Sequence, residues 1–286
     1  MGTNVGTFIA GFAVIGIVVF LIWFIVKKTK RMQIDHVHLI TGGVKSGKTT
    51  LAVATALSKY RHIHNAWKVR RFFCKPLNWI AKTIFKKPNK FFEGEEPLLY
   101  SNIVLAVPYV PLTSALINRE ERFRYKSVIL VSESSLVADS YDIKNPVFND
   151  NFNLFNKLVG HETKGGYLIY ETQSLSDNHF AVKRVLCSFT LISKCITWLP
   201  FFIAFKTRDL AYNADASVDV NNIFEDDAEK ESRYLLISKR VWKKFDCYTY
   251  SVFTDHLPVN DRVVVGVPGD LKTDYLLEVN KDVKNK

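Results

Sequence analysis

The chain has little cysteine, no C-x-x-C pair and no internal repeat. Its four cysteines (Cys74, Cys187, Cys195, Cys247) in 286 residues cannot form the framework of a small disulfide scaffold. Free thiols in a reducing compartment are the expectation. No Ser-His-Asp arrangement is evident. The NKxD pattern by which GTPases read guanine is missing, because Asn280-Lys281-Asp282 lacks its spacing; ATP is therefore the expected nucleotide for any phosphate site. His36-x-His38 and His62-x-His64 have no carboxylate or third histidine at ligand spacing, which argues against a histidine metal centre. An apolar share of 48% and a charged share of 23% exclude collagen, mucin-like stalks and acidic tails.

Two stretches lack acid altogether. Residues 27–31 (KKTKR) carry four basic side chains, and residues 66–92 carry eight. The whole chain has 39 basic and 28 acidic residues; without these twelve, 27 face 28, a net of −1. The rest of the protein is therefore near neutral, and composition does not demand a general DNA-binding surface.

Phe8–Val26 has no charged residue over 19 positions. As a helix it would reach about 28 Å, close to the hydrocarbon thickness of a bilayer. MGTNVGT, before it, has no Lys or Arg, so a signal peptide is disfavoured. The basic KKTKR follows. The expectation is a single N-terminal transmembrane helix, with its short N-terminus outside and the remainder cytoplasmic.

Residues 34–41 read as a strand, and TLAVATALSKY reads as a helix. Between them lie Gly42, Gly43, Val44, Lys45, Ser46, Gly47, Lys48 and Thr49, an uninterrupted G-x-x-x-x-G-K-T followed by Thr50. Strand, glycine loop and helix are the context this phosphate-binding motif requires. Glycines let backbone N–H groups turn toward phosphate oxygens, and the helix N-terminus adds positive potential. Lys48 would bridge the β- and γ-phosphates, and Thr49 would ligate Mg²⁺.

Such a site needs a second strand that ends in acid. KSVILVSE, residues 126–133, supplies a buried apolar run, but Ser132 stands at the expected metal-binding Asp position. Glu133 follows and can orient a water. A third strand, GGYLIYETQ, ends in Thr172-Gln173 at the same sheet edge. Gln173 could sense the γ-phosphate. Alternation of strands and helices predicts an α/β P-loop NTPase, with a mostly parallel sheet and helices on both faces. The expected organisation is an anchor and basic flank at 1–31, an ATPase domain at 32–255 and a tail at 256–286. A basic aromatic insert at 66–96 interrupts the domain. Within it, Leu77, Ile80, Ala81, Ile84 and Phe85 repeat at helical spacing after Pro76. An interfacial helix at 76–88, a helix packed on the core and a single-stranded DNA contact all fit that pattern.

Several of these segments resemble the zonular occludens toxin family, which includes the gene I assembly proteins of filamentous phages. The likeness is carried by Gly42–Thr50, Tyr100-Ser101-Asn102-Ile103, SVILVSE, Gly165-Gly166 through Thr172-Gln173, and Phe245-Asp246-Cys247-Tyr248-Thr249-Tyr250. The resemblance implies an inner-membrane ATPase, related to the FtsK–HerA motors, that helps extrude phage. Its partners would be coat or other assembly proteins, in a homo-oligomeric ring. Motors of that fold set an arginine against the neighbour's γ-phosphate; Arg184 is the candidate, with Arg208 behind it. A DNA-translocating ATPase of the same fold and a nucleotide-gated membrane scaffold are the competing readings.

Overall fold

Val37–Gly42 (β1) is aliphatic or β-branched at most positions, and every residue in it is buried. A strand buried along its whole length must be covered on both faces. The two neighbours Leu39 and Ile40 show how: Leu39 packs with Phe152, Phe155 and Val159, whereas Ile40 packs with Leu51, Ala52 and Val53. The computed structural model describes residues 34–84, 94–134, 146–173, 188–211 and 233–250, together with Gly16, Val182, Val185 and Leu186.

After β1 come α1 (Lys48–Thr83), β2 (Leu99–Ser101), β3 (Ile103–Leu105), β4 (Val110–Pro111) and α2 (Ser114–Ile117). β5 (Val128–Val131), α3 (Pro146–Glu162) and β6 (Tyr167–Thr172) follow, then β7 (Ser188–Ile196), β8 (Phe202–Ala211), β9 (Arg233–Ser238), a 3₁₀ turn at Lys239–Lys244 and β10 (Phe245–Tyr250). Among the described residues an eight-stranded sheet has the order β4-β2-β5-β6-β1-β7-β8-β9. Pairings from β4 to β7 are parallel. β7, β8 and β9 continue it as an antiparallel meander. β3 and β10 form a separate antiparallel pair.

Strand parity divides the core into two layers. Ile129, Val131, Leu168 and Tyr170 face α3 with Leu39; Val128, Leu130 and Ile169 face α1 with Ile40. The period of two therefore fixes which strand-end side chains reach α1. β1, β5 and β6 are parallel neighbours, so their C-terminal ends share one edge of the sheet. That edge is where open α/β sheets hold ligands.

Two expectations need correction. The insert was expected to start a new helix at Pro76, but α1 runs unbroken for 36 residues with Pro76 inside it. Proline removes one intrahelical hydrogen bond, yet a helix already nucleated over many turns can propagate past that loss. Leu77, Trp79, Ile80 and Ile84 are exposed, so this stripe does not pack on the core, although Ala81 is buried. Residues 85–93, the end of the proposed 76–88 helix, lie outside the described residues.

The second correction concerns the membrane. Among the described residues no helix is long and apolar enough to cross a bilayer. The longest, α1, carries Lys59, Arg61, Lys68, Arg70, Arg71, Lys75 and Lys82 along its length. The transmembrane helix expected at Phe8–Val26 is not supported, and the single-pass inner-membrane placement that depends on it falls too. That run lies outside the described residues except for Gly16. The tail 256–286 also lies outside them.

Candidate nucleotide-binding site

The glycine loop leaves β1 at Gly42 and enters α1 at Lys48. Its tightness is imposed by what lies beneath. A Cβ on Gly47 would sit 2.8 Å from Phe205 Cε1 and 3.2 Å from Cys195 Sγ, and the backbone there has φ of 80°. Phe205 comes from β8 and is fully buried. The β7–β8 hairpin thus forms a floor on which only glycine fits at this position. Lys45 is also left-handed, with φ of 60°.

Gly47 caps α1 without any side-chain hydrogen bond, and no acidic residue stands in the first turn. The first amides of the helix therefore present uncompensated positive potential to whatever lies in the loop. The Ser46 hydroxyl oxygen is buried and has no hydrogen-bond partner. Lys48 is buried and folds back so that Nζ donates to the Gly43 carbonyl at 3.2 Å. An ammonium held inside a ring of glycine backbone is suited to phosphate oxygens. Gly43, Val44 and Lys45 are exposed on the outer side, whereas Thr50 is buried against the core.

Strand parity then delivers a carboxylate that the sequence reading did not single out. Glu171 lies on β6 in register with Ile40 and on the α1 face with Ile169. It is wholly buried. Thr49 Oγ1 donates to Glu171 Oε1 at 3.2 Å, and the Ser132 hydroxyl donates to Glu171 Oε2. Burial pushes the Glu171 carboxyl above the usual range, and the nearby Glu133 pushes the same way. Hydrogen bonds from Ser132 and Thr49 and the charge of Lys48 oppose that rise. The sequence carries only part of this signal, an acid within an apolar strand at the parity of Ile169; that the strand lies beside β1 is shown by their pairing.

Ser132 itself is fixed by Asn102 through a reciprocal pair. Asn102 Nδ2 donates to the Ser132 carbonyl at 2.9 Å, and Ser132 N–H donates to Asn102 Oδ1 at 2.8 Å. This gives the Tyr-Ser-Asn-Ile segment a physical task, that of clamping the end of β5. Glu133 follows with φ of 49°, a conformation uncommon for a non-glycine residue. The turn carries Glu133 out of the strand into a half-buried position.

Gln173 directly follows β6 at the same edge and is exposed; its carbonyl accepts a hydrogen bond from Thr41 Oγ1 at 3.3 Å. The structure thus brings Lys48, Thr49, Ser132, Glu133 and Gln173 to one edge. Arg184 lies outside the described residues. Arg208 sits on β8 opposite Leu191 and is buried within its own protomer, which does not suit an arginine offered to a neighbour.

No family model matches the chain, and none of the curated proteins matches it. Among solved structures it is similar to the N-terminal domain of zonular occludens toxin from Neisseria meningitidis. That match has 15% identity, a TM-score of 0.37, and covers 74% of this chain and 100% of the other. It is also similar to the genome packaging NTPase B204 from Sulfolobus turreted icosahedral virus 2 in complex with ATP-gammaS. Here identity is 10%, the TM-score 0.28, and coverage 62% of this chain and 98% of the other. The AMPPCP complex of the same NTPase matches at 13% identity and a TM-score of 0.28, covering 59% of this chain and 78% of the other.

Proposed function

We propose that the chain is a P-loop ATPase that binds ATP and Mg²⁺ at Gly42–Thr49 and uses hydrolysis to drive assembly of a filamentous phage. One observation carries the ATPase reading: Lys48 lies folded into a complete glycine loop, while Thr49 touches a buried carboxylate at the C-terminal sheet edge. The assembly role is supported by the sequence segments that resemble phage assembly proteins, and Asn102 and Ser132 of that set meet in the site.

The residues present suit a hard cation. Thr49 and Glu171 meet with oxygen donors, the ligand type Mg²⁺ prefers, and the Ser132 hydroxyl bonds to Glu171 beside them. A cation held by these residues would supply positive charge to the phosphate. The chain's own groups do the rest. Lys48 and the first amides of α1 hold phosphate. Glu133 orients the attacking water and takes its proton. Gln173 lies at the edge where it can hold that water. The resemblance to ring motors implies an arginine from a neighbouring subunit at the γ-phosphate, and Arg184 is the residue proposed for that role. The test is phosphate release by the full chain with ATP and Mg²⁺. Turnover that rises with protein concentration and vanishes in Glu133→Gln supports the reading; no turnover above the Lys48→Ala background rejects it.

One observation favours a second reading, a motor that moves nucleic acid. A cleft of about 840 Å³ is lined by Arg119, Arg122, Arg124 and Lys164 against Glu95 and Glu162. It lies where β5 and β6 begin, opposite the P-loop edge. If single-stranded DNA raises turnover in a salt-sensitive way, and Arg122→Glu with Lys164→Glu removes that response, this reading gains.

A further inference from the structure

The end of β5 lacks the carboxylate that normally stands beside the P-loop threonine, and the neighbouring strand puts one there. We propose that Glu171 of β6 is the positioning carboxylate of the Mg²⁺ site, and that Ser132 holds Glu171 rather than the metal. The inference rests on the chain being a P-loop ATPase.

Three observations carry it. First, the Thr49 hydroxyl has one proton, and it is directed to Glu171 Oε1. Its lone pairs are thereby turned away from Glu171 and left for a cation. Second, Glu171 is fully buried, yet the hydrogen bonds it accepts from Thr49 and Ser132 come from neutral hydroxyls. A buried carboxylate is costly unless charge compensates it. The charged groups facing it are Lys48, which favours its ionised form, and a second carboxylate, Glu133, which opposes it as burial does, so a cation beside Thr49 would supply compensation that these groups leave incomplete. Third, Ser132 has no freedom to act as a mobile ligand. Asn102 clamps its backbone on both sides, and its hydroxyl proton goes to Glu171. The acid has moved one strand along the sheet, and the serine left behind supports it. Strand parity permits the move, because Ser132 and Glu171 both fall on the α1 face.

The test compares the full chain with Glu171→Gln and with the exchange Ser132→Asp/Glu171→Ser, which returns the acid to the end of β5. Two quantities are read: affinity for a fluorescent non-hydrolysable ATP analogue in EDTA, and affinity of the analogue-bound protein for Mn²⁺ by electron paramagnetic resonance. Removing a supporting carboxylate of this kind weakens metal binding roughly tenfold or more. Glu171→Gln should therefore keep its EDTA affinity and lose Mn²⁺ affinity by roughly that factor, and the exchange should recover it. Glu171→Gln carries less buried charge and should unfold no earlier than wild type. Wild-type Mn²⁺ affinity in Glu171→Gln overturns the proposal. So does equal loss of nucleotide in EDTA, which would make Glu171 a support of the loop alone. If the unaltered chain binds no nucleotide, the ATPase reading fails first and the proposal falls with it.

Discussion

The Ser132 hydroxyl, at the end of β5, donates a hydrogen bond to the Glu171 carboxylate on the adjacent strand β6. A residue that looks like a lost acid is thus the partner of an acid. Restoring aspartate at position 132 alone should therefore do harm. Ser132→Asp would set a second carboxylate against buried Glu171, and like charges sharing a buried site repel. Thermal unfolding at neutral pH should show a loss on the order of 2 kcal/mol. A variant as stable as wild type would mean that the two side chains do not meet.

Gly47 should be intolerant for a reason unrelated to phosphate. Alanine there meets Phe205 at 2.8 Å and must hold φ near 80°. The left-handed backbone alone costs about 1–2 kcal/mol. Gly47→Ala should lower stability and nucleotide affinity together. The double variant Gly47→Ala/Phe205→Leu should recover part of the stability, as seen by urea unfolding.

The glycine loop and its flanking strand and helix were legible because that chemistry is local: glycines, lysine and threonine are contiguous. The run Val128–Val131 was legible as a doubly buried strand for the same reason. Glu171 was missed because its meaning depends on which strand lies beside β1, and adjacency is not written in one strand's sequence. With β6 next to β1, parity alone would have placed it near Thr49. The role of Phe205 as the loop's floor needs the pairing of β7 with β8, which neither strand's sequence states. Pro76 misled because a proline signals a helix start only where no helix is already running. The transmembrane expectation rested on one apolar run and on charge order; among the described residues no helix is long and apolar enough to cross a bilayer.

Glu133 should separate binding from chemistry. In the proposed function Lys48 and the first amides of α1 hold phosphate and Glu133 handles the water, so Glu133→Gln should leave ATP affinity within about twofold and lower turnover by roughly 10²-fold or more. Equilibrium binding and single-turnover phosphate release measure the two. Turnover near wild type would show that another group handles the water.

His38 gives the fold a defined acid sensitivity. It is buried on β1, with Nε2 3.0 Å from Thr190 Oγ1. Burial lowers its pKa from 6.5 to about 4; Asp35 opposes that shift and Lys59 adds to it. The unfolded chain takes up this proton first as pH falls. The stabilisation is complete above pH 6.5 and is lost progressively toward pH 4, by about 3 kcal/mol in all. Urea midpoints of wild type should fall between pH 7 and 5 more steeply than those of His38→Gln. Parallel slopes would contradict the assignment.

The account stands or falls on whether the loop holds a nucleotide through Lys48. The direct measurement is equilibrium binding of a fluorescent ATP analogue to the full chain and to Lys48→Ala, with thermal unfolding as a control. The account predicts saturable binding that Mg²⁺ strengthens in wild type. It predicts at least a tenfold loss in Lys48→Ala, because a charge-assisted contact to phosphate disappears, with the unfolding temperature little changed. Equal affinity in the two folded proteins, or no saturable binding to wild type, would contradict it.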